Sequence, residues 1–197
     1  MCALARRFAC ATLAVLAFVT YASGAMALSV SPSGSVSGTS PVLNIRLTST
    51  NEFITCASSS FTAILNTNGS GSVAAGSMGF GGCASPQLGT FTITQTSAIS
   101  INTVLLPSPA GVLVQFTIPS RGIVFADVPL GCSFTLSGTF GILVPGPLPI
   151  TSSTFALTLS SLRVDSTGGL CMVPAPVGLP AVFSATYNSN HSIRFSG

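Results

Sequence analysis

The chain has 197 residues, of which 47% are hydrophobic and only 5% are charged, with a formal net charge of +3. Its mean hydropathy is +0.73. A chain this apolar is not intrinsically disordered, and 20 glycines and 13 prolines interrupt the apolar residues too often for a helical bundle. These numbers favour a folded, mostly β protein and identify no reaction.

Residues 1–27 have the pattern of a secretory signal peptide. A positive region at residues 6–7 precedes an apolar stretch at residues 8–19, and the small-x-small triplet at residues 25–27 matches what signal peptidase accepts. The apolar stretch is shorter than the roughly 18 residues that a membrane-spanning helix needs. We therefore expect cleavage before Leu28 and a secreted or cell-envelope location, in the periplasm or at the cell surface. The alternative is a membrane anchor that is left uncut.

The charged residues are too few for a protein that binds polyanions. The chain contains no lysine, and four arginines would remain after cleavage. Four scattered arginines cannot neutralise a run of phosphates, so we expect no nucleic-acid binding, and the same shortage disfavours anionic membrane surfaces. The charged side chains of the mature chain are Arg46, Arg121, Arg163, Arg194, Glu52, Asp127 and Asp165.

The remaining chain divides into an extended lead-in at residues 28–41, rich in Ser, Gly and Pro, and a single β domain at residues 42–197. In the domain, apolar and polar side chains alternate with a period of two, which is typical of half-buried strands. We predict about ten strands in an antiparallel β-sandwich or a small β-barrel. The clearest segments are 42–48, 61–65, 90–96, 99–105, 112–118, 123–128, 132–139, 154–164 and 182–187.

Glycine and proline clusters predict the connections between strands. Asn66–Gly71 separates two apolar segments and predicts a hairpin turn, as does Pro107–Gly111. Three prolines between Val144 and Ile150 exclude a central strand there and predict an exposed loop or edge. Glycines 76, 79, 81 and 82 predict a bulge or tight turn beside Cys83.

Four cysteines of the mature chain predict two disulfide bonds. An even number of cysteines in an exported chain favours disulfides, although four cysteines allow three pairings. We predict the pairs Cys56–Cys83 and Cys132–Cys171, because each pair brackets one apparent hairpin. Each bond would contribute about 3 to 4 kcal/mol in the chain-entropy model. A metal site is the alternative, but the chain has no Cys-x-x-Cys spacing and only one histidine.

The sequence offers no convincing catalytic group. A hydrolytic triad would need His191 with Asp127 or Asp165 and a serine, but no G-x-S-x-G motif occurs, and the polar neighbours of His191 predict a solvated loop histidine. Phosphate-binding glycine motifs are absent as well. We therefore expect no enzyme, no cofactor and no catalytic, cofactor-binding or metal-binding residues.

The cysteine units carry a family resemblance. A unit of cysteine, strand, turn, strand and cysteine at Cys56–Cys83 is followed by a β-rich middle, a second pair at Cys132 and Cys171, and a final strand at Phe183–Tyr187. This arrangement resembles a group of small exported bacterial proteins of unknown function, among them those called alkane-oxidation activator protein PraB. The resemblance implies an exported, cysteine-paired β domain and implies no catalytic residue.

We expect an exported, non-enzymatic β protein of the cell envelope or extracellular space that adheres to surfaces or associates with itself. An uncharged surface rich in Ser and Thr has little electrostatic repulsion that would prevent such contacts. One alternative is a binding module for an apolar small molecule, which predicts a large apolar cavity. Another is a small outer-membrane β-barrel, although missing aromatic girdles and scarce lumen charges disfavour membrane insertion.

Overall fold

The computed structural model of the chain describes residues 28–48, 52–87, 89–107, 110–127, 131–169 and 176–197. The predicted signal peptide lies outside this part of the chain. The described residues form strands and turns, and none of their segments is a helix of the length and apolarity needed to cross a membrane. The strands are β1 (Ser29–Ser31), β2 (Gly34–Ser40), β3 (Leu43–Leu47), β4 (Glu52–Leu65), β5 (Gly71–Ser85), β6 (Gly89–Gln95), β7 (Ile99–Pro107), β8 (Ala110–Asp127), β9 (Cys132–Pro145), β10 (Ile150–Gly168) and β11 (Pro180–Ser196).

The strands pair antiparallel throughout, and the pairing closes into a ring. Strands β1, β2 and β3 lie end to end along β11, and β6 and β7 lie end to end along β8, so eleven strands fill eight positions. Each position pairs with the next one along the chain, and β11 closes the ring against β1, β2 and β3. This is the connectivity of a small up-and-down barrel, one of the two predicted architectures.

The interior of the ring is an apolar core. Alternate side chains of each strand point inward, as in β3, where Leu43, Ile45 and Leu47 are all fully buried. Phenylalanines on neighbouring strands stack inside: the Phe116 and Phe140 rings lie 4.7 Å apart between centroids. Such cross-strand aromatic pairs stabilise a sheet beyond the area they bury.

At a bulge in β5, a buried side chain provides the hydrogen bonds that the irregular backbone cannot make to the neighbouring strand. The β4–β5 register shifts between Val73 and Met78, and Gly76 takes a φ of +74° that favours glycine. The buried side chain of Gln95 accepts a hydrogen bond from the Met78 amide at 2.9 Å and donates to the carbonyls of Val73 at 3.3 Å and Ser97 at 2.8 Å. A glycine bulge is therefore present in this segment, but it lies at Gly76, and the register beside Cys83, where it was predicted, is regular.

Several boundaries differ from the prediction. Residues 28–41 form β1 and β2 and belong to the ring, and β5, the second strand of the predicted Cys56–Cys83 unit, was not among the segments with clear alternation. The proline-rich connection is narrower than 144–150, because β9 continues to Pro145 and β10 begins at Ile150. The observed strands are longer than the predicted segments, because backbone pairing with a neighbouring strand continues past the residues whose side chains alternate between apolar and polar.

The ring has two ends, which we name by their features. At the cysteine end, β3, β5, β8 and β10 finish and β4, β6, β9 and β11 begin. At the hairpin end, β1 begins, β11 finishes, and the turns after β4 and β9 lie. The predicted turn at Asn66–Gly71 is confirmed at this end, where Gly69 has a φ of +78°.

Candidate functional site

The disulfide between Cys56 and Cys83 is present, as predicted. The two residues are direct partners in the β4–β5 ladder, and both side chains are buried inside the ring near the cysteine end. Cys132 begins β9 and is also buried. Its predicted partner Cys171 lies outside the described residues, so the second pairing stays a prediction.

Two of the three acidic residues are buried at the cysteine end. Glu52 is 2% exposed; its Oε1 accepts a hydrogen bond from the Ser85 hydroxyl, and it also bonds the Gln87 backbone. Burial raises the pKa of Glu52, and the bond to the Gln87 backbone partly opposes this rise. Sequence reasoning missed the burial, although Glu52 alternates in phase with the inward residues Ile54 and Cys56.

Asp127 has fewer hydrogen bonds to its carboxylate than Glu52 has. It is 2% exposed, and neither of its oxygens has a hydrogen-bond partner among the residues that the structure describes. Its neighbours in the ladders are Phe91 and Cys132, both buried. Ile123 and Phe125, at alternate positions of the same strand, also point inward. The alternating pattern of β8 therefore already indicated that Asp127 points inward.

Asp165 holds a bulge in place. Its Oδ2 accepts a hydrogen bond from the backbone amide of Arg121 at 2.8 Å, and its Oδ1 accepts one from the Ser137 hydroxyl. Arg121 has a φ of +57°, which is unusual for a residue other than glycine, and lies in the register shift of β8. The interaction joins three neighbouring strands, β8, β9 and β10, through a backbone amide and a hydroxyl.

The residues of the triad considered from sequence are not brought together. His191 is exposed, and it lies within β11 and not in the predicted loop. Arg163, two residues before Asp165, pairs with Pro180 at the start of β11. His191 lies eleven residues further along β11, which corresponds to roughly 35 Å of strand. Asp127 also lies at the cysteine end, so neither acid approaches the imidazole.

The interior cavity is small. It lies toward the hairpin end, has a volume of about 40 Å³, and is lined almost entirely by apolar side chains such as Phe61, Phe155 and Phe195. Pockets for drug-sized ligands usually measure roughly 300 to 1,000 Å³. This cavity is therefore too small for a ligand of that size.

A larger groove of about 210 Å³ lies on the outside of β8, β9 and β10. Gly141 forms its floor, because a glycine contributes no outward side chain at this position of β9. Leu113 and Leu159 stand on either side, and Leu159 is 51% exposed. The rest of the lining consists of Phe140 and four polar residues, Gln115, Thr139, Ser160 and Ser161.

The fold separates the charges. All four arginines of the described chain are exposed, whereas Glu52 and Asp127 are buried and only Asp165 lies toward the surface. The outside therefore carries four positive groups and one negative group. The described chain has nearly equal numbers of basic and acidic residues, but its surface carries a small excess of positive charge.

Comparisons with known proteins add no further assignment. Among the described residues, no three His, Cys, Asp or Glu side chains are placed to hold a metal ion. The resemblance to the PraB-like group stays a prediction. No protein-family model, curated protein or solved structure matches this chain.

Proposed function

We propose that this chain is an exported, non-enzymatic β protein of the cell envelope or extracellular space that associates with surfaces or with copies of itself. The observation that carries the proposal is its outer face, on which Ser, Thr and small residues predominate and charged groups are few. Strand β6 is an example: Thr90, Thr92 and Thr94 point outward, while Phe91 and Ile93 are buried. Such a face has little charge repulsion to oppose close approach of another surface.

The disulfide supports the proposed location. Disulfide bonds form and persist in oxidising compartments, and the Cys56–Cys83 bond is consistent with a periplasmic or extracellular protein. The site of cleavage, before Leu28, belongs to the same proposal.

Cell fractionation tests export directly. We expect the protein in the periplasmic or culture fraction, with an N-terminal peptide that begins at Leu28 in mass spectrometry. Recovery in the cytoplasm with an intact N-terminus would contradict export.

A charge series tests surface association. We expect the oxidised mature protein to adsorb to uncharged surfaces or to sediment as an assembly, and the double variant Thr92→Glu and Thr94→Glu to do so several-fold less. Thr92→Asn and Thr94→Asn form the matched control, since they change the same exposed positions without adding charge. A monomeric wild type that adsorbs no more than the Glu variant would overturn the proposal.

A further inference from the structure

Strand β7 has a neighbour on both sides along only part of its length. Ser100 and Ile101 pair with β5 on one side and with β8 on the other, whereas the later residues of the strand pair with β8 alone. The turn that precedes β5 contacts β7 at Thr103, whose hydroxyl donates to the Gly69 carbonyl. Beyond this contact, residues 104–107 form a free sheet edge within the part of the chain that the structure describes.

This edge has apolar side chains on both faces and carries no charge. Val104 and Leu105 are each 39% exposed. Leu105 is the ladder partner of Val112, which is buried inside the ring, and Val104 is the partner of Leu113 on the outer face. Natural proteins usually protect a free edge with charged residues or proline, but β7 contains no charged residue, and its proline, Pro107, comes last. The edge therefore combines free backbone groups with exposed aliphatic side chains, which favours pairing with another strand.

The chemistry of the edge indicates which partner fits it. Its free amide and carbonyl groups match the edge of another strand, and its lack of charge gives it no means of selecting a charged peptide. β1, on the other side of the same turn, is less free, because the Val30 amide donates to the Thr67 carbonyl at 2.7 Å. The partner that fits best is therefore the β7 edge of a second copy of the chain.

Pairing of two β7 edges preserves the apolar faces of both sheets. Two identical antiparallel strands pair about a two-fold axis, and an axis through Leu105, perpendicular to the sheet, keeps inner and outer faces aligned between the copies. Leu105 then lies opposite the partner's Leu105, and Val104 lies opposite the partner's Leu106. Aliphatic side chains meet across the contact on both faces, which stabilises such cross-strand pairs.

We propose that the free edge of β7 pairs antiparallel with the same edge of a second copy, so that two rings join in a symmetric dimer. This inference rests on the proposed self-association and deepens it, because it names the surface and the partner. The edge offers residues 104–107 only, whereas a standard stable interface has roughly 20 to 30 residues on each side. The dimer is therefore weak, with a dissociation constant on the order of 0.1 mM.

Sedimentation equilibrium of the oxidised mature protein at a series of concentrations tests the dimer. We expect a monomer–dimer equilibrium for the wild type and at least tenfold weaker association for Leu105→Lys and for Leu105→Glu, because each variant places two like charges opposite each other at the two-fold axis. An equimolar mixture of these two variants should associate more tightly than either variant alone, since unlike charges then face each other. A mixture that stays as monomeric as the separate variants would overturn the symmetric pairing.

A matched control separates the edge from the rest of β7. Ser100→Lys adds the same charge at an exposed position of the same strand, where β5 and β8 occupy both sides, and it should leave dimerisation unchanged. Val104→Lys is a second edge variant if circular dichroism shows that a lysine at 105 disturbs the fold. Equal losses for Leu105→Lys and Ser100→Lys would contradict the inference. So would a wild type that stays monomeric up to about 1 mM, and its adsorption to uncharged surfaces then decides separately whether the proposed function stands.

Discussion

The two ends of the ring are stabilised by different physical means. The cysteine end buries two carboxylates, Glu52 and Asp127, near the Cys56–Cys83 bond. The hairpin end buries phenylalanines and leaves a small apolar cavity. Burial of a carboxylate costs free energy unless hydrogen bonds compensate, whereas a disulfide stabilises mainly by restricting the unfolded chain. The comparison teaches that the covalent bond lies at the end that buries the carboxylates, where Phe91, Phe125 and Phe134 also pack against one another.

The largest loss of stability is expected for a substitution in the apolar core. We expect Phe116→Ala to lower the free energy of unfolding by about 4 kcal/mol, because it empties space beside Phe140 and Phe61 that the core cannot fully close. Urea denaturation followed by tyrosine fluorescence or circular dichroism measures this loss. The outward variant Thr117→Ala, next along the same strand, is the control and should change stability by less than about 0.5 kcal/mol.

Removal of the disulfide should weaken the cysteine end. We expect the double variant Cys56→Ala and Cys83→Ala to lose about 3 kcal/mol, since the bond closes a loop across a sequence separation of 27. Hydrogen exchange should show faster opening of β4 and β5 near the cysteines than near the Asn66–Gly71 turn. Uniform acceleration along both strands would contradict a local role for the bond.

Asp127, whose oxygens have no hydrogen-bond partner among the described residues, should give a stability change of the opposite sign when it is replaced. We expect Asp127→Asn to raise the free energy of unfolding by about 1 to 2 kcal/mol, because the amide has nearly the same shape and carries no charge into the core. Thermal or urea unfolding at pH 7 measures the gain. Asp165→Asn is the comparison, and it should destabilise, since Asp165 accepts bonds from Arg121 and Ser137. A loss of stability in Asp127→Asn would show that the carboxylate has a partner in solution.

The smallest expected effect is the contribution of Glu52 to the pH dependence of folding stability. Its pKa is raised in the folded protein, so the folded state binds the proton more tightly than the unfolded chain does. The stability from this group is therefore complete below the ordinary pKa near 4.5 and is lost as the pH rises through the raised value. We expect the wild type to gain stability relative to Glu52→Gln between pH 7 and pH 4.5. An unchanged difference between the two proteins over this range would contradict the prediction.

Much of the fold could be predicted from local patterns, and β5 shows their limit: the cysteine unit predicted a strand there, but no alternation of apolar and polar side chains marked it. The alternation of Leu43, Ile45 and Leu47 indicated a strand directly, because side chains of a strand point alternately to two faces. Gly71–Ser85 contains mostly Gly, Ala and Ser, which have low intrinsic strand preference. Pairing with β4 and packing of Met78 and Phe80 against the core make it a strand, and neither contact can be read from the segment itself.

The features of the candidate site also fall into those that the sequence indicated and those that only the tertiary structure decided. The sequence by itself indicated the all-β class and the turn at Asn66–Gly71, since both depend on residues close together along the chain. It favoured the Cys56–Cys83 pair among three possible pairings, and the structure selected it. Only the tertiary structure decided the closure of the ring and the burial of Asp127. It also formed the groove at Gly141, because that groove needs side chains from three neighbouring strands. The physical reason is that register, which pairs residues distant in sequence, is set by the packing of the whole ring.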